Sequence, residues 1–335
     1  MKLLPSALVA CLGVATGGCD IIYYMCDEPP AARLEAPALL SQTGLYDPLA
    51  SDRVAGDVRA FRPRFELWSD GADKRRWVHL PPGARIDTSD MDAWRFPVGT
   101  RLWKEFTRDG VRVETRLLER IGEGDGDWLA VAYLWREDGS DADLALAGVI
   151  DARGTGHDVP AAAECQACHG GRASGALGFS AIQLAGGGEG GGGDGDDELL
   201  DLDDLVASGW LSEPPAGAIE VPGSATERAA LGYLHANCGH CHNQARPAGG
   251  ASRCYDPDNE LDFWLQVDRL QSPEDTPTYQ SAVGTVIAPG DPGASGVIGR
   301  ASTRDRFVQM PPLGTELVDR QAVEILEDWI REMRP

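Results

Sequence analysis

Two pentads in the sequence place paired thiols beside an imidazole: Cys165-Gln166-Ala167-Cys168-His169 and Cys238-Gly239-His240-Cys241-His242. In each, two cysteines one helical turn apart can reach the two vinyl groups of haem, and the adjoining histidine can bind the iron. A zinc site or a redox dithiol needs no histidine directly after the second cysteine. The pentads therefore predict two covalently bound haem c groups, held by the four cysteines and by iron ligands His169 and His242.

A methionine between the second pentad and the C-terminus offers a sixth iron ligand. Met310 precedes Pro311 and Pro312, which stiffen the loop that would hold its thioether. We expect His242 and Met310 to form a His/Met pair, which raises the reduction potential relative to two imidazoles. The alternative is that Met310 only packs in the core.

The other axial position of the first haem has no obvious ligand, because no methionine lies between His169 and Met310. Four side chains elsewhere could fill it, although for each of them an ordinary role as a hydrogen-bonded surface or core side chain is favoured over ligation: His79, Met91, His157 and His235.

The N-terminus predicts export. A lysine at position 2 is followed by a mostly apolar run to Gly18, which indicates a signal peptide over 1–18. The segment before Cys19 resembles a lipoprotein cleavage box, so the mature protein is expected in the periplasm, free or lipid-anchored on the periplasmic side of the membrane. Cys26 and Cys254 remain, either as a disulfide or as two separate thiols.

The acidic composition limits the classes of molecule that the protein is expected to bind. Acidic residues outnumber basic ones 53 to 30, giving a formal net charge of -23 over 335 residues. Such a surface repels nucleic acid and anionic lipid and favours redox proteins with basic docking surfaces. Contact with a membrane is expected only through the lipid anchor.

The pattern of strand-like and helix-like segments along the chain predicts a multidomain α+β protein, with a β-rich N-terminal domain followed by mainly α-helical c-type cytochrome domains. An extended lead-in over 19–45 precedes short alternating segments that indicate an antiparallel β-rich domain over 46–155. The first haem segment follows over 156–215, with an acidic glycine-rich loop at 186–197. A cytochrome domain is expected over 216–335, between a helix capped by Ser224 and Glu227 and a helix from Asp319 to Met333.

The chain also resembles known families. Residues 224–335, with a helix before Cys238, a proline-flanked Met310 and the closing Trp329-Ile330, resemble a class I c-type cytochrome domain. This resemblance implies a compact all-α fold around one haem, with His242 below the iron and Met310 above it.

Most of residues 60–335 is similar to a family of bacterial two-haem c-type cytochromes with an N-terminal β-rich region. The segments that carry this resemblance are 68–76, 96–100, 165–169, 177–184, 233–238, 289–292 and 310–314. The resemblance implies the haem number and the fold, and the acidic glycine tract departs from it as an insertion.

Electron transfer between redox partners is the function that these features favour, and no catalytic residue is assigned. One alternative is a peroxidase-like haem oxidoreductase with an open position at the first haem, and another is a binding module formed by 46–155. The charged run Asp70, Asp73, Lys74, Arg75 and Arg76 could hold a haem propionate through arginine, or form a solvated loop.

Overall fold

The computed structural model describes residues 35–186, 199–245 and 259–334. Its centre is a six-stranded antiparallel sheet in which sequential strands are neighbours. A hairpin precedes this sheet and another follows it. The strands are β1 (Tyr46–Asp47), β2 (Ala50–Val54), β3 (Arg59–Ala60), β4 (Asp73–His79), β5 (Arg101–Arg108), β6 (Val111–Arg120), β7 (Trp128–Trp135), β8 (Ala142–Leu144), β9 (Val149–Ala152) and β10 (His157–Val159).

The longest hairpin of this sheet is formed by β5 and β6, which a two-residue turn connects. Asp109 and Gly110 both have positive φ angles, of 50° and 78°, which is the pattern of a two-residue hairpin turn. Close to this turn the pairing shifts by one residue, so that Thr107 pairs with Arg112 whereas Phe106 pairs with Glu114. Val113 is therefore the extra residue of a β-bulge.

The two faces of the sheet bury different cores. On one face Trp77, Trp103, Leu117 and Val131 pack with Leu40 from the chain before β1. On the other face the buried residues are Val78, Leu102, Leu118 and Ala130, which belong to a larger cluster that includes Cys165, Phe179, Leu231, Leu326 and Trp329. We call this second face the motif face, because the core on it contains a cysteine of the first pentad.

The α-helices of the described residues all follow the sheet. They are α1 (Ala162–His169), α2 (Ala181–Leu184), α3 (Leu202–Ala207), α4 (Ala225–Asn237), α5 (Pro277–Ala282), α6 (Gly296–Ala301) and α7 (Arg320–Glu332). Ser224 and Glu227 form the predicted capping box of α4, and Asp319 caps α7 by accepting from the backbone N–H of Ala322. Both predicted helices are therefore confirmed, and they pack against each other.

The predicted fold class is wrong. Strands hold about 21% of the residues and helices about 25%, and the helices are seven short ones in the described part of the chain rather than mainly α-helical cytochrome domains. The longest two have 13 residues each. Proline is the physical reason, because residues between α4 and α7 such as Pro289, Pro311 and Pro312 supply no backbone N–H and cannot lie inside a long helix.

Several predictions fall on residues outside the described ranges: the signal peptide, Cys19, the pair Cys26 and Cys254, and all of the glycine-rich loop except Gly186. The domain boundaries at 155 and 215 also stay predictions. Within residues 35–186, 199–245 and 259–334, no helix is long and apolar enough to cross a membrane.

Trp329 should be the critical side chain of the α4 and α7 contact. It is fully buried, and its indole N–H donates to the hydroxyl of Tyr279 at 3.4 Å. We expect Trp329→Ala to lower the free energy of unfolding by about 3–5 kcal/mol, because a large cavity would remain. Urea denaturation measures this loss. Glu324→Ala, at an exposed position of the same helix, should change it by no more than about 0.5 kcal/mol.

Candidate functional site

The first pentad lies at the C-terminal end of α1, which packs against β7. Glu164 accepts a hydrogen bond from the backbone N–H of Ala161 at 2.7 Å, which supports the start of this short helix. Cys165 is buried, whereas Cys168 and His169 are half-buried. The helix therefore presents one thiol and the imidazole where a ligand can reach them.

His169 is held in one tautomer by the backbone of Gly175. Its Nδ1 lies 2.6 Å from the carbonyl oxygen of Gly175 and donates to it, which leaves the lone pair of Nε2 for a metal. Burial lowers the pKa of His169 to about 4, so the ring is neutral near pH 7. Gly175 has a φ of 64° and lies against the indole of Trp128, where a Cβ would be 2.6 Å from Nε1. The sheet thus positions the carbonyl that orients His169.

The second pentad is formed differently, as a turn that leaves the end of α4. Cys238 is the C-cap residue of that helix, and its carbonyl oxygen accepts from the backbone N–H groups of Cys241 and His242 at 3.0 and 2.8 Å. Cys238, Cys241 and His242 are all half-buried. The imidazole of His242 packs edge-on against Phe263, and its Nδ1 lies 2.9 Å from the amide nitrogen of Asn259.

The thiols of both pentads are unbridged. Burial raises the pKa of Cys165 to about 11 and that of Cys238 to about 12, so both stay protonated near neutral pH. A reactive redox dithiol depends on a thiolate, which the burial of Cys165 and Cys238 disfavours. No cluster of three or more potential metal ligands among His, Cys, Asp and Glu occurs in the described ranges.

The two pentads meet in space although 68 residues lie between His169 and Cys238 in the sequence. Gly171 lies directly against the backbone of His240, where an added Cβ would be only 1.9 Å from the carbonyl oxygen. Only glycine fits this contact without a shift of one segment. We call this contact of Gly171 with His240 the junction. His169, which ends the first pentad, is two residues from Gly171, and His242, which ends the second, is two residues from His240.

Asn243 joins the two segments. Its side-chain amide nitrogen lies 2.9 Å from the carbonyl oxygen of Gly239 and 3.3 Å from that of Gly171, and it donates to both. Its amide oxygen accepts from the guanidinium of Arg172 at 3.4 Å and from the backbone N–H of Ala245. Asn243 is 1% exposed, so these bonds form away from water and are costly to lose.

Arg172 continues the junction into the rest of the molecule. It is buried, donates to the carbonyl oxygen of Asp92 at 2.7 Å and lies over the ring of Trp264 at 4.2 Å. Burial raises the pKa of the Asp92 carboxyl to about 6. The carboxyl oxygens of Asp92 accept from the backbone N–H of Val267 at 3.0 and 3.1 Å, so this junction also fixes the chain that follows the second pentad.

Met310 lies half-buried on the loop between α6 and α7, where its backbone N–H donates to the carbonyl oxygen of Arg300 at 3.1 Å. Pairing of its sulfur with His242 on one iron stays a prediction. Six and seven residues further along, the loop is held by Asp70, which precedes β4 and whose carboxylate accepts from the backbone N–H groups of Glu316 and Leu317 at 3.0 and 2.8 Å.

The neighbouring Trp68 also holds both ends of the candidate second site. Its indole N–H donates to the carbonyl oxygen of Leu317 at 3.0 Å, and its backbone N–H donates to the side chain of Asn237, which directly precedes Cys238. We call Trp68 and Asp70, with these partners, the clamp. The charged run that could have been a solvated loop is therefore part of an anchor, with β4 beginning at Asp73.

The side chains considered for the open position of the first haem lie in different surroundings. His157 is buried with Nε2 at 2.7 Å from a carboxylate oxygen of Glu114, and His79 faces Asp57 at 3.3 Å. Met91 is half-buried against the main core.

His235 differs from these three. Its Nδ1 accepts from the backbone N–H of Leu265 at 3.1 Å, and its ring lies 4.3 Å from that of Trp264. Its Nε2 is buried and has no hydrogen-bond partner in the described structure.

Sequence reasoning did not identify the residues that bring the pentads together, Gly171, Arg172 and Asn243. The first two follow the first pentad closely and Asn243 follows the second directly, so their position after each motif was a usable signal. The contact between them is long-range, however, and no local pattern predicts it.

Comparisons with protein-family models, with curated proteins and with solved structures gave no match to this chain.

Proposed function

We propose that this chain is an exported two-haem c-type cytochrome that carries electrons between redox partners in the periplasm. The observation that carries the proposal is the contact of the two Cys-x-x-Cys-His segments through Gly171, His240 and Asn243. A second pentad near the first gives an electron a short route through one chain, because tunnelling is efficient only over short distances. Membership of the two-haem family that the sequence resembles is part of the same proposal.

The residues of the pentads fit haem c. Cys165, Cys168, Cys238 and Cys241 are unbridged thiols available for thioether bonds. His169 has its Nδ1 proton engaged by Gly175, so Nε2 is the nitrogen that can bind iron. His242 has the corresponding place in the second pentad. When bound, haem supplies one-electron chemistry at each site, and the protein supplies position and local charge.

The acidic composition supports a role in docking. The formal net charge of -23 attracts basic partner surfaces over a distance and accelerates encounter at low ionic strength. Export to the periplasm, with a lipid anchor at Cys19 as the only membrane attachment, completes the proposal.

A haem count tests it directly. In a host competent for haem attachment, the chain should carry two haems that survive denaturation in acid acetone, as measured by pyridine haemochrome. The double variants Cys165→Ala with Cys168→Ala, and Cys238→Ala with Cys241→Ala, should each retain one haem, because each removes one pair of thioether bonds. A colourless product from the unaltered chain contradicts the proposal.

The spin state separates the carrier from the peroxidase-like enzyme. We expect two low-spin ferric haems by resonance Raman and magnetic circular dichroism. A high-spin first haem combined with steady turnover of peroxide would show a catalyst instead of a carrier.

The contact at Gly171 should control exchange between the haems. Gly171→Ala must separate the segments, because its Cβ would overlap the His240 carbonyl, and overpacking of this kind costs about 1–3 kcal/mol. We expect weaker magnetic coupling of the two ferric haems in electron paramagnetic resonance and slower intramolecular electron exchange. Gly299→Ala is the matched control, since nothing lies within 4 Å of a Cβ there. Unchanged coupling in Gly171→Ala would refute this role of the junction.

The clamp should keep Met310 at the second haem. Asp70→Asn retains a residue that tolerates the observed φ of 52° but removes the charge that accepts from Glu316 and Leu317. Loss of charged hydrogen bonds should cost about 1.5–3 kcal/mol. We expect the sulfur-to-iron charge-transfer band of the oxidised protein to weaken and the potential of one haem to fall.

Asp109→Asn provides the control for this substitution, because Asp109 has a φ of 50° in the exposed turn between β5 and β6. It should leave the band unchanged. If Asp70→Asn also leaves both the band and the potential unchanged, the clamp does not act on the ligand.

A further inference from the structure

Three positively charged side chains form a row across the motif face of the sheet. Arg76 of β4 pairs with Lys104 of β5, and Lys104 pairs with Arg116 of β6. Because side chains alternate along a strand, all three lie on the face that also presents Val78, Leu102 and Leu118 to the core. Lys74 lies on the same face, two residues before Arg76.

The carboxylates nearby do not balance these charges. Arg116 is neutralised by Glu114, which also contacts His157. Of the remaining cations only Arg76 has an ion pair, to Glu66 at 3.0 Å, and Glu66 is shared with Arg62. Within the described ranges, Lys74 and Lys104 have no carboxylate oxygen within 4.0 Å.

The excess of charge is therefore confined to one end of the row. In the described residues Glu66 pairs with Arg76 and with Arg62, and neither Lys74 nor Lys104 forms an ion pair. Burial is the main cause that lowers the pKa of Lys74 to about 8 and that of Lys104 well below its usual range, and the neighbouring cations add to both shifts. Keeping these cations charged in a buried place costs free energy, and a bound anion would offset that cost.

The row extends away from the first pentad. The helix α1, which contains the first pentad, packs against β7, and β7 is the neighbour of β6, so the Arg116 end of the row lies nearest the motif. Neighbouring strands are about 4.8 Å apart, which puts Arg76 about 10 Å further along the sheet than Arg116. Lys104 and Arg116 are half-buried, so this part of the motif face borders open space rather than packed core.

The use of lysine is also selective. The full sequence has three lysines, Lys2, Lys74 and Lys104, against 30 basic residues of both kinds. Arginine therefore supplies nearly all positive charge in this protein, and the two lysines after the signal segment both lie in the uncompensated part of the row.

We propose that Lys74, Arg76 and Lys104 bind the two propionates of the haem attached at Cys165 and Cys168. This inference rests on the proposed function. Vinyl and propionate groups lie on opposite edges of the porphyrin, so a haem joined to the thiols beside Arg116 would have its propionates on the edge away from those thiols, where Lys104, Arg76 and Lys74 could bind them. Two carboxylates match the two uncompensated charges, and each charged hydrogen bond to them is stronger than a neutral one.

Removal of one charge tests the assignment through the reduction potential. In protein that retains two haems, Lys104→Gln should shift the midpoint potential of one haem to a more negative value, because a nearby cation favours the reduced form. Lys104→Arg should restore most of the shift. Arg75→Gln removes the same charge from the adjacent residue of β4 on the opposite face, where Arg75 lies over Trp77, and should shift the potential less.

Reaction with an amine reagent tests the same site without altering Lys104. The variant Cys165→Ser with Cys168→Ser lacks the first haem, and the spectrum of its second haem reports whether the chain is folded. We expect Lys74 and Lys104 to be modified several-fold faster in this variant than in the unaltered chain, as measured by mass spectrometry of their peptides.

The outcomes separate the two proposals. The propionate site would be overturned, and the two-haem carrier left intact, if Lys104→Gln retained two haems with the same midpoint potentials as the unaltered chain. The same holds if Lys104→Gln and Arg75→Gln shifted the potential equally. Equal modification rates with and without the first haem would do the same. A chain that binds no haem would overturn both.

Discussion

The backbone contact between Gly171 and His240 is the constraint on which the candidate site depends. It joins two segments that lie far apart in the sequence, and it does so at the carbonyl oxygen of a residue inside one pentad. Asn243 satisfies carbonyl groups on both sides, and Arg172 extends the bonding to Asp92 and Trp264. Because these groups are buried, the position of each pentad depends on the other and on the sheet behind them.

The sheet contributes more than a scaffold. Trp128 at the start of β7 lies against Gly175, which orients His169, and the clamp at Trp68 and Asp70 holds the loop of Met310 and the end of α4. One core extends from Val78 to Trp329, so strands and helices share their apolar contacts. The β-rich part and the helical part of the chain, which the sequence pattern predicted as separate domains, are therefore connected through the candidate site.

Local patterns in the sequence predicted the strands and the two capped helices, since alternation and capping act over a few residues. They failed for the fold class because the prolines between α4 and α7 prevent the long helices that a class I domain needs. They also missed the cationic row. Regular pairing from the Asp109-Gly110 turn would put Thr115 opposite Lys104, and the bulge at Val113 brings Arg116 there instead. A bulge depends on packing of the whole sheet, and Val113 is buried against Ala132 and Val159.

The separation of negative charge on the exterior from positive charge on the motif face has a consequence for how the protein responds to its surroundings. Exposed charges are screened by salt over about 8–10 Å, whereas buried ones are screened far less. Encounter with a basic partner would therefore vary with the ionic strength of the periplasm. The driving force for electron transfer, which depends on Lys104 and its neighbours, would remain nearly constant. In the proposed carrier, the rate of association with a partner and the energy of the transferred electron could thus be adjusted independently.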